Sequence, residues 1–200
     1  VERRRHHENP QIRALRPDLR ILVMSATLDG ARVARLLGEA PVLESHGRAF
    51  PVETRYLGRD PQERVEDAVT RAILRALAEE PGSVLAFLPG QGEIARVAER
   101  LAQRSLPPDV SVAPLYAAMD RRAQNAAVAP TPPGRRKIVL ATSIAETSLT
   151  IEGVRVVVDS GLARVPHYEP ALGLTRLETR RVSRAAADQR RGRAGRTQPG

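Results

Sequence analysis

The sequence predicts an α/β fold in which a parallel β-sheet lies between layers of helices, and three observations predict it. Four apolar runs are continuous: RILVMSAT at Arg20–Thr27, SVLAFLP at Ser83–Pro89, KIVLAT at Lys137–Thr142 and VRVVVDS at Val154–Ser160. A strand with one wet face alternates between apolar and polar residues, so a continuous run marks a strand covered on both faces. The second observation is a stretch able to do the covering: between Pro61 and Glu80, Val65, Val69, Ile73 and Leu77 recur every four residues beside Ala68, Ala72 and Ala76, one apolar stripe along a helix. Third, Ile94, Val97, Ala98 and Leu101 repeat that pattern directly after the second run. Strand alternating with helix is a doubly wound layout.

Between these elements, SHGRAFPVETRYL at Ser45–Leu57 breaks the rhythm with small residues and Pro51, which places a domain boundary at residue 50. Residues 1–50 then hold one strand and one helix, too little for a domain, and read as the carboxyl-terminal part of one. Residues 51–200 have the size of a complete domain. SLPPD at Ser105–Asp109 and APTPPGRR at Ala129–Arg136 read as proline-rich surface connections.

Composition narrows the function. The chain has no cysteine, which excludes disulfides, thiolate metal sites and cysteine nucleophiles, and its four histidines show no ligand spacing, so no metal site is expected. No apolar run approaches the roughly 18 residues of a membrane span, and VERRRHHENP at the start has no apolar export region, so no membrane partner and a cytoplasmic location are expected. The net charge is +9. Clustered cations gain affinity for a phosphate backbone by releasing its counterions. All but one of the 32 basic residues are arginine, the exception being Lys137, and a coding bias accounts for such a skew as readily as a ligand does. With two phenylalanines, three tyrosines and no tryptophan, base stacking has few platforms, so a bound strand would be held by its backbone.

Four short stretches carry chemistry. Ser25–Thr27 (SAT) follows the first run; its hydroxyls suit a hydrogen-bond relay at a strand's carboxyl end, or a cap for a helix starting near Asp29. LPGQGEI at Leu88–Ile94 turns a strand into a helix through Gly90 and Gly92. The backbone N–H groups exposed there suit a phosphate of ATP or of a nucleic acid, and an ordinary tight turn fits equally well. It is not a Walker A loop, which needs Gly-Lys-Ser/Thr, since the sole lysine precedes Ile138. ATSIAETSLTIEG at Ala141–Gly153 gathers Thr142, Ser143, Thr147, Ser148 and Thr150 with Glu146 and Glu152 at one strand's end, and such hydroxyls fix phosphate and sugar without reading sequence.

The fourth stretch is DQRRGRAGRTQPG at Asp188–Gly200. Ser183 can cap a helix running through it, on which Gln189, Arg193 and Arg196, spaced by four and three residues, share one face. Gly192 and Gly195 would each cost about 1 kcal/mol inside that helix, a hint that something approaches the backbone closely. A guanidinium offers paired donors to phosphate oxygens and suits charge on a transferring phosphoryl group. The competing reading is a nonspecific basic tail, which needs charge but no fixed spacing, no glutamine and no glycine pair.

Together and in this order, SATLD, FLPGQGEI, ATSIAETSLTIEGV, VVVDSGLAR and QRRGRAGRTQPG resemble motifs III, IV, V, Va and VI of the DEAH-box helicases of superfamily 2, and GLTRLETRRVSRAAADQRRGRAGR is most similar to the bacterial HrpB branch. The resemblance implies two RecA-like domains that bind ATP with Mg²⁺ in their cleft, hydrolyse it and step along RNA. It implies that Gln189, Arg193 and Arg196 face the γ-phosphate, with both arginines as arginine fingers. It further implies that Ser25 and Thr27 couple hydrolysis to unwinding, that Ser148 senses the nucleotide, that Glu152 stands near the ribose in place of the usual aspartate, and that Gly90 and Thr142 touch the RNA backbone. No Asp-Glu dipeptide occurs, so the phosphate cradle, the Mg²⁺ ligand and the water-activating glutamate are expected outside this chain.

The expectation is therefore the end of a first RecA-like domain (1–50) joined to a complete second one (51–200), from an ATP-dependent RNA helicase. The parent would be an enzyme and the piece alone inactive. ATP, RNA, with DNA left open, and the missing first RecA-like half are the expected partners. The alternative is a non-catalytic nucleic-acid-binding module.

Overall fold

The computed structural model describes residues 16, 20–24, 29–44, 50–58, 60, 62–147, 151–170 and 173–200. Two compact units divide the chain, Val1–Ser45 and His46–Gly200. In the first, helix α1 (Gly30–Leu36) begins at Asp29, whose carboxylate accepts from the Arg32 N–H at 3.2 Å. The cap is thus an acid beyond the SAT triplet; Ser25 and Thr27 themselves lie outside the described residues. The described part of the first apolar run does not form the expected strand. Arg20–Met24 has no ladder partner among the described residues, and Leu22 and Met24 are more than four-fifths exposed. A strand of a parallel sheet exists only by pairing, because its own backbone groups cannot satisfy one another.

The second unit is built on a four-stranded, all-parallel sheet of β1 (Ser83–Phe87), β2 (Val110–Leu115), β3 (Arg136–Ala141) and β4 (Val154–Asp159) in the order β2-β3-β1-β4. Helices α2 (Val65–Glu79), α3 (Gln91–Ala102), α4 (Arg121–Val128) and the single turn α5 (Ile144–Thr147) surround it. The continuous runs are covered on both sides, as expected: Val84, Ala86, Ile138 and Leu140 pack with Val69, Ile73, Ile94 and Val97 of α2 and α3, whereas Leu85, Phe87, Val139 and Ala141 pack with Ala127 and Ala145 of α4 and α5. Each such aliphatic side chain contributes about 1.5–3 kcal/mol on full burial.

Two basic residues at the start of β3 tie helix ends to the sheet. Arg136 donates to the carbonyls of Leu77, Glu80 and Gly82 at 2.7–2.9 Å, closing the carboxyl end of α2. Buried Lys137 donates through Nζ to the Ala127 and Ala129 carbonyls at 3.2 and 2.8 Å, at the end of α4. Beyond β4 the chain forms an antiparallel hairpin, β5 (Leu162–Glu169) and β6 (Leu174–Arg181), and then helix α6 (Arg184–Arg191). No helix among the described residues is long and apolar enough to cross a membrane.

Candidate functional site

The carboxyl ends of the four strands lie level, because the ladder continues past the strands: the N–H groups of Leu88, Thr142 and Ser160 donate to the carbonyls of Ala141, Leu115 and Phe87 at 2.8, 3.2 and 3.2 Å. This puts Gly90 and Thr142 at the ends of neighbouring strands β1 and β3. Gly90 is buried, precedes α3, and has extended backbone (φ −163°) that any residue adopts. A Cβ there would sit 2.7–2.9 Å from the Arg164 guanidinium, a flexible side-chain end that can swing away. Arg164, on β5, donates to Glu93 at 3.2 Å. A cation thus stands at the helix start where the motif suggested a phosphate. Half-buried Thr142 accepts through its carbonyl from Ala145 N–H at 3.2 Å, which opens α5.

Helix α6 is N-capped by Ser183, which accepts from the Ala186 N–H at 3.2 Å. Gln189 is on this helix and half-buried. The helix stops at Arg191, with Gly192 as its cap, so Arg193 and Arg196 lie beyond it and the shared helix face expected for Gln189, Arg193 and Arg196 is not formed. Beyond the helix the chain is bonded to a segment that runs alongside. Phe50 N–H donates to the Gly195 carbonyl at 3.0 Å, Glu53 N–H to Gly200 at 2.9 Å and Gly200 N–H to Pro51 at 3.1 Å. A Cβ on Gly195 would lie 2.6 Å from the Phe50 carbonyl oxygen and from Val52 Cγ2. The close approach hinted at by the glycines is therefore real at Gly195, and it is made by the chain's own backbone.

The arginine most deeply placed is Arg190, which the spacing argument passed over. Its side chain is fully buried, with the guanidinium 4.8 Å above the Phe87 ring centroid. Nε donates to Glu146 Oε1 at 2.7 Å, and Nη1 donates to Asp159 Oδ1 at 2.7 Å and to the Leu162 carbonyl at 3.2 Å. A buried cation is tolerable only when paired and hydrogen-bonded in this way. The readable signal was an acid, Asp159, closing the apolar run VRVVVD, together with Glu146 among hydroxyls; both demand a cation, yet nothing in QRRGRAGR says which arginine answers.

Arg193 is 6% exposed and donates through Nη2 to the backbone carbonyl of the same Glu146. Burial, and then the neighbouring Arg196 charge, lower its pKa to about 10, which leaves it charged at neutral pH. Arg196 is exposed. Paired guanidinium donors suit the phosphates of a nucleoside triphosphate. Ser148 lies outside the described residues. Exposed Glu152 precedes the amino end of β4 and lines a cleft with Gly82, Ser83, Gly134 and Gln198, at the other end of the sheet from Gly90 and Thr142. Among the described residues no three of His, Asp and Glu gather as a metal site, so no Mg²⁺ ligand is assigned to them.

Comparison with known proteins places the fold. Residues 65–198 match the helicase conserved C-terminal domain. The ATP-dependent RNA helicase HrpB of Escherichia coli is 55% identical over 186 residues, 93% of this chain and 23% of that protein. The pre-mRNA-splicing factor ATP-dependent RNA helicase prp22 of Schizosaccharomyces pombe is 41% identical over 190 residues, 92% of this chain and 16% of that protein. The crystal structure of the Escherichia coli DEAH/RHA helicase HrpB superposes with a TM-score of 0.88 at 54% identity, covering 96% of this chain and 24% of that one. The chain thus spans less than a quarter of the curated relatives it matches.

Proposed function

Because the chain belongs to the helicase conserved C-terminal domain family, we propose that it is the second RecA-like half, with the end of the first, of a cytoplasmic ATP-dependent RNA helicase of the DEAH-box HrpB type. The domain division proposed is 1–50 and 51–200. Bound ATP, with Mg²⁺ held outside this chain, supplies the phosphoanhydride bond whose hydrolysis drives movement along RNA. Arg193 and Arg196 place fixed positive charge against the γ-phosphate oxygens, where charge is to be stabilised as the bond breaks. Gln189 adds an amide beside them. Gly90 and Thr142 hold the RNA backbone at the strand ends, Ser148 serves the nucleotide, and Ser25 and Thr27 couple the two events; Glu152, at the opposite end of the sheet from Arg193, is left out of this nucleotide site.

The observation that carries this reading is Arg193: a buried guanidinium, charged at neutral pH and oriented by the Glu146 carbonyl. Such a group is set before any substrate arrives, so no reorganisation is needed when charge develops. RNA-stimulated ATP hydrolysis by the complete polypeptide is the test. Arg193→Ala should lower turnover on the order of a thousandfold or more. The 200-residue chain alone should show no turnover; activity there that disappears in Arg193→Ala would show that it carries its own phosphate cradle and would overturn the reading.

A further inference from the structure

Glu146 is held by two arginines in two ways. Its carboxylate accepts from Arg190 Nε at 2.7 Å and its backbone carbonyl accepts from Arg193 Nη2. Asp159, at the end of β4, accepts from Arg190 Nη1 at 2.7 Å and from the Gly161 N–H at 2.9 Å. Arg190 thus spans three elements: α6, on which it lies; the turn α5, through Glu146; and the end of β4, through Asp159. The Phe87 ring beneath it, at the end of β1, closes the fourth side. The segment after α6 leaves the helix only two residues further on, at Gly192, so the place where Arg190 is anchored fixes where Arg193 begins. Two carboxylates around one fully buried guanidinium give a single geometry, because its planar fork of donors admits few others.

We propose that Arg190 is a positioning residue for the hydrolytic reaction, acting through Glu146 to hold the Arg193 guanidinium in its working place. The inference rests on the function proposed above. It gives Arg190 no contact with the nucleotide. A residue that acts only through Arg193 has nothing left to contribute once Arg193 is gone.

The experiment is a double-mutant cycle on the complete polypeptide, with kcat, KM for ATP and RNA affinity measured for wild type, Arg190→Lys, Arg193→Ala and the double variant. Arg190→Lys keeps the charge but not the fork. It should lower kcat about tenfold or more with KM and RNA affinity within about twofold, and should add nothing further in the Arg193→Ala background. Asp159→Asn, which removes one anchor without touching the arginine string, should show the same pattern and serves if Arg190→Lys does not fold. Losses that multiply, a change confined to KM, or an unchanged kcat in Arg190→Lys would overturn the inference alone. A wild-type polypeptide with no RNA-stimulated turnover would overturn the proposed function and this inference with it.

Discussion

Two glycines in one string do different jobs, and the difference is measurable. A methyl group on Gly195 would press on the Phe50 carbonyl oxygen and Val52 at 2.6 Å, whereas on Gly192 it would meet only its own helix at 3.4 Å or more. Gly192 also has helical backbone, with φ −60° and ψ −12°. Gly195→Ala should therefore destabilise the fold by roughly 1–3 kcal/mol. Gly192→Ala should be neutral or gain up to about 1 kcal/mol. Urea denaturation of the two variants checks both. At this scale position was not legible in the sequence. That Gln189, Arg193 and Arg196 belong together was argued from a helical spacing the chain does not adopt, since the helix ends at Arg191. Arg190 escaped notice because its role depends on Glu146 and Asp159, 44 and 31 residues away in sequence, and no local pattern encodes such a distance.

At the scale of elements, legibility followed burial. The strands β1, β3 and β4 and the helices α2 and α3 were readable because each writes its burial into a short apolar pattern. Strand β2 was not. Its edge position is not the reason, since β4 is the other edge and equally half-buried; β2 lacks an apolar run because Ser111 and Pro114 interrupt it, and an edge tolerates proline because one side of the strand needs no ladder donor. The hairpin β5–β6 has no such pattern because its strands are largely exposed and rich in charge, so no periodicity marks them. Helix ends are fixed by single residues, which gives a prediction here. The sole lysine, which its sequence context excludes from a Walker A loop, closes α4 through the Ala127 and Ala129 carbonyls, and burial lowers its pKa below the ordinary lysine value. Lys137→Met keeps the apolar stem and leaves those carbonyls unmatched, so it should cost about 1–3 kcal/mol in thermal or urea unfolding.

For the whole molecule, charge and placement make separate claims. A net charge of +9 favours contact with any polyanion, weakening as salt rises, whatever the order of the arginines. Hydrolysis asks for more: a guanidinium of fixed position, on a segment bonded to residues 50–53 and anchored beneath by Arg190. The two claims part company in a substitution that keeps charge and removes the planar fork. The measurement that tests the account most directly is kcat for RNA-stimulated ATP hydrolysis by the complete polypeptide carrying Arg193→Lys, with RNA affinity followed in parallel over a range of salt. Positioned catalysis predicts a fall of about a hundredfold or more with the salt dependence of RNA binding unchanged. An undiminished kcat would contradict it and leave the arginines as a basic surface for RNA.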